Sequence, residues 1–230
     1  MALPGPEVLL EGRNLCRLME GLCVTMEVSL LSVALSLPLG IALGVIMTSP
    51  RPAVRLLTRI YLDFMRIMPQ LVLLFLAYFG LSRALGINLS AFASAVLVFT
   101  LWGMAEMGDL VRGAILSLPR HQVESARVLG LSTRHIYLLI VIPQILRRLL
   151  PPSINLVTRM IKTTSLVVII GMVEVLKVGQ QIIDASRFTH PGAALWVYGA
   201  IFMLYFAACW PIARYAAYLE RRWSLDSHRS

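Results

Sequence analysis

Charge is scarce in this sequence. Only 14% of its 230 residues are Asp, Glu, Lys or Arg, against about 25% in an ordinary soluble domain. With 58% apolar residues and a mean hydropathy of +0.77, that shortage excludes a typical water-soluble globular chain. Cysteine is as thin: Cys16, Cys23 and Cys209 are odd in number and form no Cys-x-x-Cys pair, which argues against a disulfide framework or a thiolate metal site. His121, His135, His190 and His228 have no metal-ligand spacing, and no Ser-His-Asp or Cys-His constellation is visible. An integral membrane enzyme therefore lacks its catalytic cluster. No Gly-x4-Gly-Lys-Ser/Thr phosphate loop occurs, so nucleotide chemistry, if the system uses it, must reside on another subunit. The N-terminus "MALPGPEVLLEGRNLCRLMEGL" carries acids and no clean apolar core before a cleavage site, unlike a signal peptide.

What the chain has instead is long apolar runs. About 20 helical residues cross the hydrocarbon core of a bilayer. Five runs qualify: 21–47, 60–81, 91–115, 149–175 and 193–213. These predict an all-α integral membrane fold with five transmembrane helices. The expected divisions are an extracytoplasmic segment 1–20, a membrane domain 21–215 and a cytoplasmic tail 216–230. Val8, Leu9, Leu15, Leu18 and Leu22 recur at loosely helical spacing, which fits an amphipathic helix on the outer interface or a frayed tail.

The net charge of +9 does not point to nucleic acid, because the arginines lie between apolar runs. Counted by side, 14 arginines flank one face of the predicted topology, from Arg51 through Arg120 and Arg134 to Arg229. Five basic residues, Arg13, Arg17, Arg83, Lys177 and Arg187, flank the other. The excess of positive charge marks the cytoplasmic side. It sets the N-terminus outside and the C-terminus inside.

One polar segment interrupts the apolar pattern on that inner side. "ESARVLGLSTRHIYLLIVIPQ", residues 124–144, carries arginines and a glycine. Ser117 and Pro119 suit the opening of a helix that runs to Leu129, with Gly130 as a left-handed stop. Ser132 suits a second cap, for a helix that Pro143 ends or bends. Two short helices hinged at Gly130, within a loop of about 117–145, could plug into a partner or rest on the membrane as an ordinary loop.

The spacing Glu124-Ser125-Ala126, Gly130, Ile140-Val141-Ile142-Pro143 resembles the Glu-Ala-Ala loop of inner-membrane permeases of ATP-binding-cassette importers. The runs 112–132, 161–176 ("IKTTSLVVIIGMVEVL") and 61–81 ("YLDFMRIMPQLVLLFLAYFGL"), with Gly21, Thr25, Ser29 and Gly40, resemble the polar amino-acid branch, over about residues 20–215. His121, Asp109 and the sequence Arg66-Ile67-Met68-Pro69 depart from the usual Gly, Glu and Arg-Gly-Thr-Pro. The resemblance implies the type I importer permease fold and a coupling helix formed by Glu124, Ser125, Ala126, Gly130, Leu131, Ser132, Ile140 and Pro143. It implies two ATP-binding subunits that hold ATP and Mg, a second permease (identical or related), an extracytoplasmic solute-binding protein and an amino-acid substrate. No cofactor is expected on this chain itself. The location implied is the bacterial inner membrane. A self-contained secondary transporter or channel is the alternative, and the missing internal repeat argues against it.

Ionisable groups inside a bilayer usually face a cavity or a partner. Glu106, Asp109 and Arg112 fall on one face of the third run. Arg159 and Lys162 lie in the fourth, followed by Thr164 and Ser165, and Glu174 lies near its outer end. Acids on one span and a cation with hydroxyls on another suit a zwitterion, so Glu106, Asp109, Lys162, Thr164, Ser165 and Glu174 are candidate pathway residues. The competing reading is inter-helix salt bridging, for example Asp109 or Glu106 with Lys162 or Arg159. Glu174 could line an outer gate or simply snorkel. Asp63 and Arg66, three apart, fit a structural pair.

Overall fold

The computed structural model describes residues 6–227, and among these every regular element is helical. His228 and Arg229 lie outside the described residues, as do parts of the expected segments 1–20 and 216–230. The helices are α1 (Glu7–Leu10), α2 (Asn14–Ile46), α3 (Pro52–Ile67), α4 (Gln70–Leu85), α5 (Ala91–Leu116), α6 (Arg120–Val128), α7 (Thr133–Ile170), α8 (Val175–Ala185) and α9 (Ala193–Ser227). Four of them, α2, α5, α7 and α9, are long and apolar enough to cross a membrane, and α3 with α4 supplies a fifth span if the pair is counted together.

Three local features differ from the sequence reading. The second run is not one straight span: α3 and α4 are bent by 101° at Met68-Pro69. Proline lacks the N–H that would continue the ladder, and Pro69 has extended backbone just before α4. Pro143, by contrast, ends nothing. It sits inside the 38-residue α7, two residues past a π turn at Tyr137–Val141. A proline ring clashes with the carbonyl four residues back; a wider turn there relieves the clash without stopping the helix. The fourth run also ends early. α7 tightens into a 3₁₀ turn over Thr164–Ile170 and stops at Gly171, so Glu174 starts the separate helix α8.

The chain gathers into two compact units. One comprises the chain through Val33, Met68–Phe99 and Thr158–Pro211; the other comprises Ala34–Ile67, Thr100–Val157 and the chain from Ile212. In the first, Val8 and Leu18 pack with Val175, Val178, Ile182 and Val197. The N-terminal apolar residues thus divide between a single turn and the start of a span. They do not form one interfacial helix. In the second, α2 meets α5 through Gly40 and Gly44. A Cβ on Gly44 would stand 2.5 Å from the Val111 Cβ and 2.7 Å from the Gly108 carbonyl, so only glycine permits this approach. Lipid-embedded helices associate by such close packing, because lipid tails offer no hydrophobic penalty to escape.

Candidate functional site

The candidate residues fall into two groups. The first is the polar loop. α6 ends in a paired hydrogen-bond stop: the Gly130 N–H donates to the Arg127 carbonyl (2.9 Å) and the Leu131 N–H to the Ala126 carbonyl (3.1 Å). Gly130 holds φ +80°, a left-handed conformation that costs glycine little. Ser132 then caps α7, accepting from the His135 N–H, while its hydroxyl lies 2.8 Å from His135 Nδ1. Ser117 does not cap α6. Its hydroxyl donates to the Ala114 carbonyl, and its own carbonyl accepts from Arg148 at 3.0 Å, so the serine closes α5 and Pro119 precedes α6.

The loop's two helices hold each other. Ala126, Ile136 and Val141 form a small core, with Val123, Ile140 and Ile145 against it. Gln144 donates to Gln122 at 2.9 Å. Ala126 and Ile140 therefore turn inward, and Pro143 lies half-buried, whereas Glu124, Ser125, Gly130, Leu131 and Ser132 face outward. Val128 and Leu129 were not among the expected contact residues, yet they are 88% and 80% exposed. The hinge presents an apolar tip that this chain leaves uncovered. Two adjacent apolar residues just before a glycine stop were the available signal.

The remaining candidates are the ionisable groups of the long helices, described for each unit by itself. Glu106 and Asp109 share Arg66: its Nε lies 3.3 Å from Glu106 and its Nη1 2.8 Å from Asp109. Arg112 completes Asp109 at 2.7 Å. The expected Asp63–Arg66 pair does not form. Asp63 sits 3.8 Å from Arg59, one turn back on the same helix. Tyr61 donates to the Leu101 carbonyl at 2.7 Å and ties α3 to α5.

Glu174 does not snorkel. It is completely buried and caps α8, accepting from the Lys177 N–H at 2.9 Å. Its other oxygen accepts from Thr25 (3.2 Å) and Tyr205 (3.5 Å). Gly21 makes room: a Cβ there would lie 2.8 Å from the Val175 Cα. The same unit holds Thr164, fully buried, donating to the Ile161 carbonyl. Ser165 donates to the Lys162 carbonyl, and the Lys162 side chain is exposed. Buried carboxylate, hydroxyls and an ammonium thus occur within one unit, while Glu106 and Asp109 belong to the other. Among the described residues, no cluster of His, Cys, Asp or Glu could hold a metal.

The sequence profile of the family described as binding-protein-dependent transport system inner membrane component matches residues 37–225. The chain is 30% identical over 209 residues to the probable glutamine ABC transporter permease protein GlnP of Bacillus subtilis, covering 91% of this chain and 94% of that one. It is 30% identical over 206 residues to the inner membrane amino-acid ABC transporter permease protein YhdY of Escherichia coli. That match covers 89% of this chain but only 56% of YhdY. Among solved structures, an amino acid ABC transporter with histidines superposes with TM-score 0.80 at 25% identity, covering 90% of this chain and 94% of the other. The MetNI methionine ABC transporter, inward facing, superposes with TM-score 0.71 at 18% identity, over 90% of this chain and 96% of that one, and speaks to the fold alone.

Proposed function

This chain belongs to the family of binding-protein-dependent transport system inner membrane components, and from that premise we propose that it forms half of the membrane path of an ATP-driven amino-acid importer. It is a transport subunit and not the ATPase. Two separate subunits bind ATP and Mg, a second permease copy or relative completes the path, and an extracytoplasmic binding protein delivers the amino acid. The self-contained secondary transporter is not favoured, because the relatives are ABC permeases.

The observation that carries the coupling role is the exposed tip at Val128-Leu129, braced from behind by its own small core and stopped by Gly130. A rigid, two-helix projection with an uncovered apolar end suits insertion into a cleft of the ATPase subunit. Glu124, Ser125, Leu131 and Ser132 surround the tip and read the cleft's rim; Ala126, Ile140 and Pro143 keep its shape. ATP-driven closure of the ATPases then moves the tips together and switches the permease pair between inward- and outward-facing packings. The proposed pathway residues are Glu174, Thr164, Ser165 and Lys162 in one unit and Glu106 and Asp109 in the other. The chain is multi-pass in the bacterial inner membrane, with its N-terminus outside and its C-terminus in the cytoplasm.

The test is the pair Gly130→Asp and Glu124→Arg in the assembled complex. The expected result is normal membrane insertion with lost ATPase association or lost substrate-stimulated hydrolysis. A mutant complex that assembles and hydrolyses ATP on stimulation as before removes the coupling role.

A further inference from the structure

Beneath the α3 helix lies a cavity of about 470 Å³, and Asp109 is the one lining residue that the transport reading uses. Its charged lining is Arg55, Arg59, Arg66 and Arg112 against Asp63 and Asp109. Asp109 is already taken by Arg66 and Arg112, and Glu106, just beyond, also takes Arg66. Among the described residues, Asp63 meets only Arg59, at 3.8 Å. Arg55 forms no ion pair with any described residue, although four arginines and two aspartates converge here. The cavity is left with positive charge and with guanidinium groups whose forks are open.

A second observation says what kind of anion fits. Residues 55, 59, 63 and 66 recur one and two turns apart along α3, and so do Leu56, Ile60, Phe64 and Ile67, shifted by one position. One position is about 100° around a helix. An ionic stripe therefore runs beside an apolar stripe over the same length. The apolar stripe is bare: Leu56 is 60% exposed, Ile60 56%, Phe64 46% and Ile67 72%. The cavity also lies at the ends of two apolar spans. Met47, which follows directly on α2, lines it, as does Arg112, four residues from the end of α5. Both apolar spans end at this level, and lipid phosphates begin where a span leaves the hydrocarbon core.

We infer that the arginine cavity of α3 is a binding site for an anionic phospholipid. The phosphate is held by the forks of Arg55 and Arg59, and the acyl chains lie along Leu56, Ile60, Phe64 and Ile67. Arg66 and Arg112 stay engaged with the acids of α5 and shape the floor. A soluble phosphate ester satisfies the arginines but has nothing to lay on the stripe; a lipid satisfies both.

The experiment uses the full-length chain in neutral detergent, with lipid adducts counted by native mass spectrometry. Phosphatidylglycerol, phosphatidylcholine and free glycerol 3-phosphate are offered to wild type, to the double variant R55A/R59A and to R83A, whose arginine is exposed on α4 and does not line the cavity. Phosphatidylglycerol is expected to be retained over phosphatidylcholine. R55A/R59A is expected to lose it by roughly fivefold per arginine removed, and R83A to retain it. The charge-keeping pair R55K/R59K, read beside its melting curve, is expected to fall between, which separates lost binding from lost folding. Equal retention by R55A/R59A and wild type overturns the site. Displacement by millimolar glycerol 3-phosphate makes it a soluble-anion site and overturns the lipid. Unchanged lipid with a shift from dimer to monomer assigns the stripe to a second copy of the chain, and also overturns it.

Discussion

The hydroxyl of Thr25 donates to the carboxylate of Glu174 at 3.2 Å, across 149 residues of sequence. That bond joins the first span to the cap of α8, where the carboxylate is fully buried. Thr25→Val removes one donor from a buried acid, and an unsatisfied buried polar group costs about 1–3 kcal/mol. The expected result is a lower melting temperature in detergent for T25V, with Thr25→Ser close to wild type. Equal melting of all three shows that Thr25 is not holding Glu174.

Gly21 predicts a steric effect at the same place. An added Cβ meets the Val175 backbone at 2.8 Å, and backbone cannot turn aside as a side chain can. Overpacking of this kind costs about 1–3 kcal/mol. Gly21→Ala is expected to reduce the folded fraction recovered by size exclusion. Gly113→Ala, where nothing lies within 4 Å, is expected to be neutral or slightly stabilising.

Arg66 serves two acids, and its loss weakens the hold on both. Glu106 is only 12% exposed at its side chain, against 27% for Asp109, which keeps Arg112. Arg66→Met is expected to destabilise the chain by about 1–3 kcal/mol, a figure below that of fully buried pairs because the arginine itself is half-exposed. Adding Glu106→Gln or Asp109→Asn should each recover part of the loss, because each removes an acid that Arg66 had served. Purely additive double mutants would place the coupling elsewhere.

The proposed orientation is checked with Cys16, which is exposed two residues into α2. In a Cys23→Ser, Cys209→Ser background, an impermeant maleimide added outside intact spheroplasts is expected to label it. Labelling only after permeabilisation reverses the orientation.

Much of this was readable in the sequence because it depends on local chemistry. Gly130 announces a left-handed stop and Ser132 a cap whatever surrounds them. Apolar run length alone located four long helices. Prolines were less legible. Pro69 and Pro143 both follow apolar residues, yet one begins a new helix after a sharp bend and the other is absorbed by a π turn. The difference lies in whether the preceding turn can widen, which residue types do not reveal. Charge partners were the least legible. Asp63 lies three residues from Arg66, but Arg66 turns to Glu106 and Asp109 on another helix. Spacing along a chain lists neighbours on one helix and is silent about the helix opposite. The burial of Glu174 was hidden for the same reason, since its partners Thr25 and Tyr205 come from distant spans.

The glycine contact between α2 and α5 gives the molecule an internal ruler. With Gly44 pressed to within reach of the Val111 side chain and the Gly108 carbonyl, neither helix can slide or roll against the other without collision. Probes placed on the lipid-facing sides of these two segments, near Ile46 and Leu116, should report one fixed separation throughout a transport cycle. Any other pair of positions can then be measured against that standard, so that a changing distance is attributed to the element that moved.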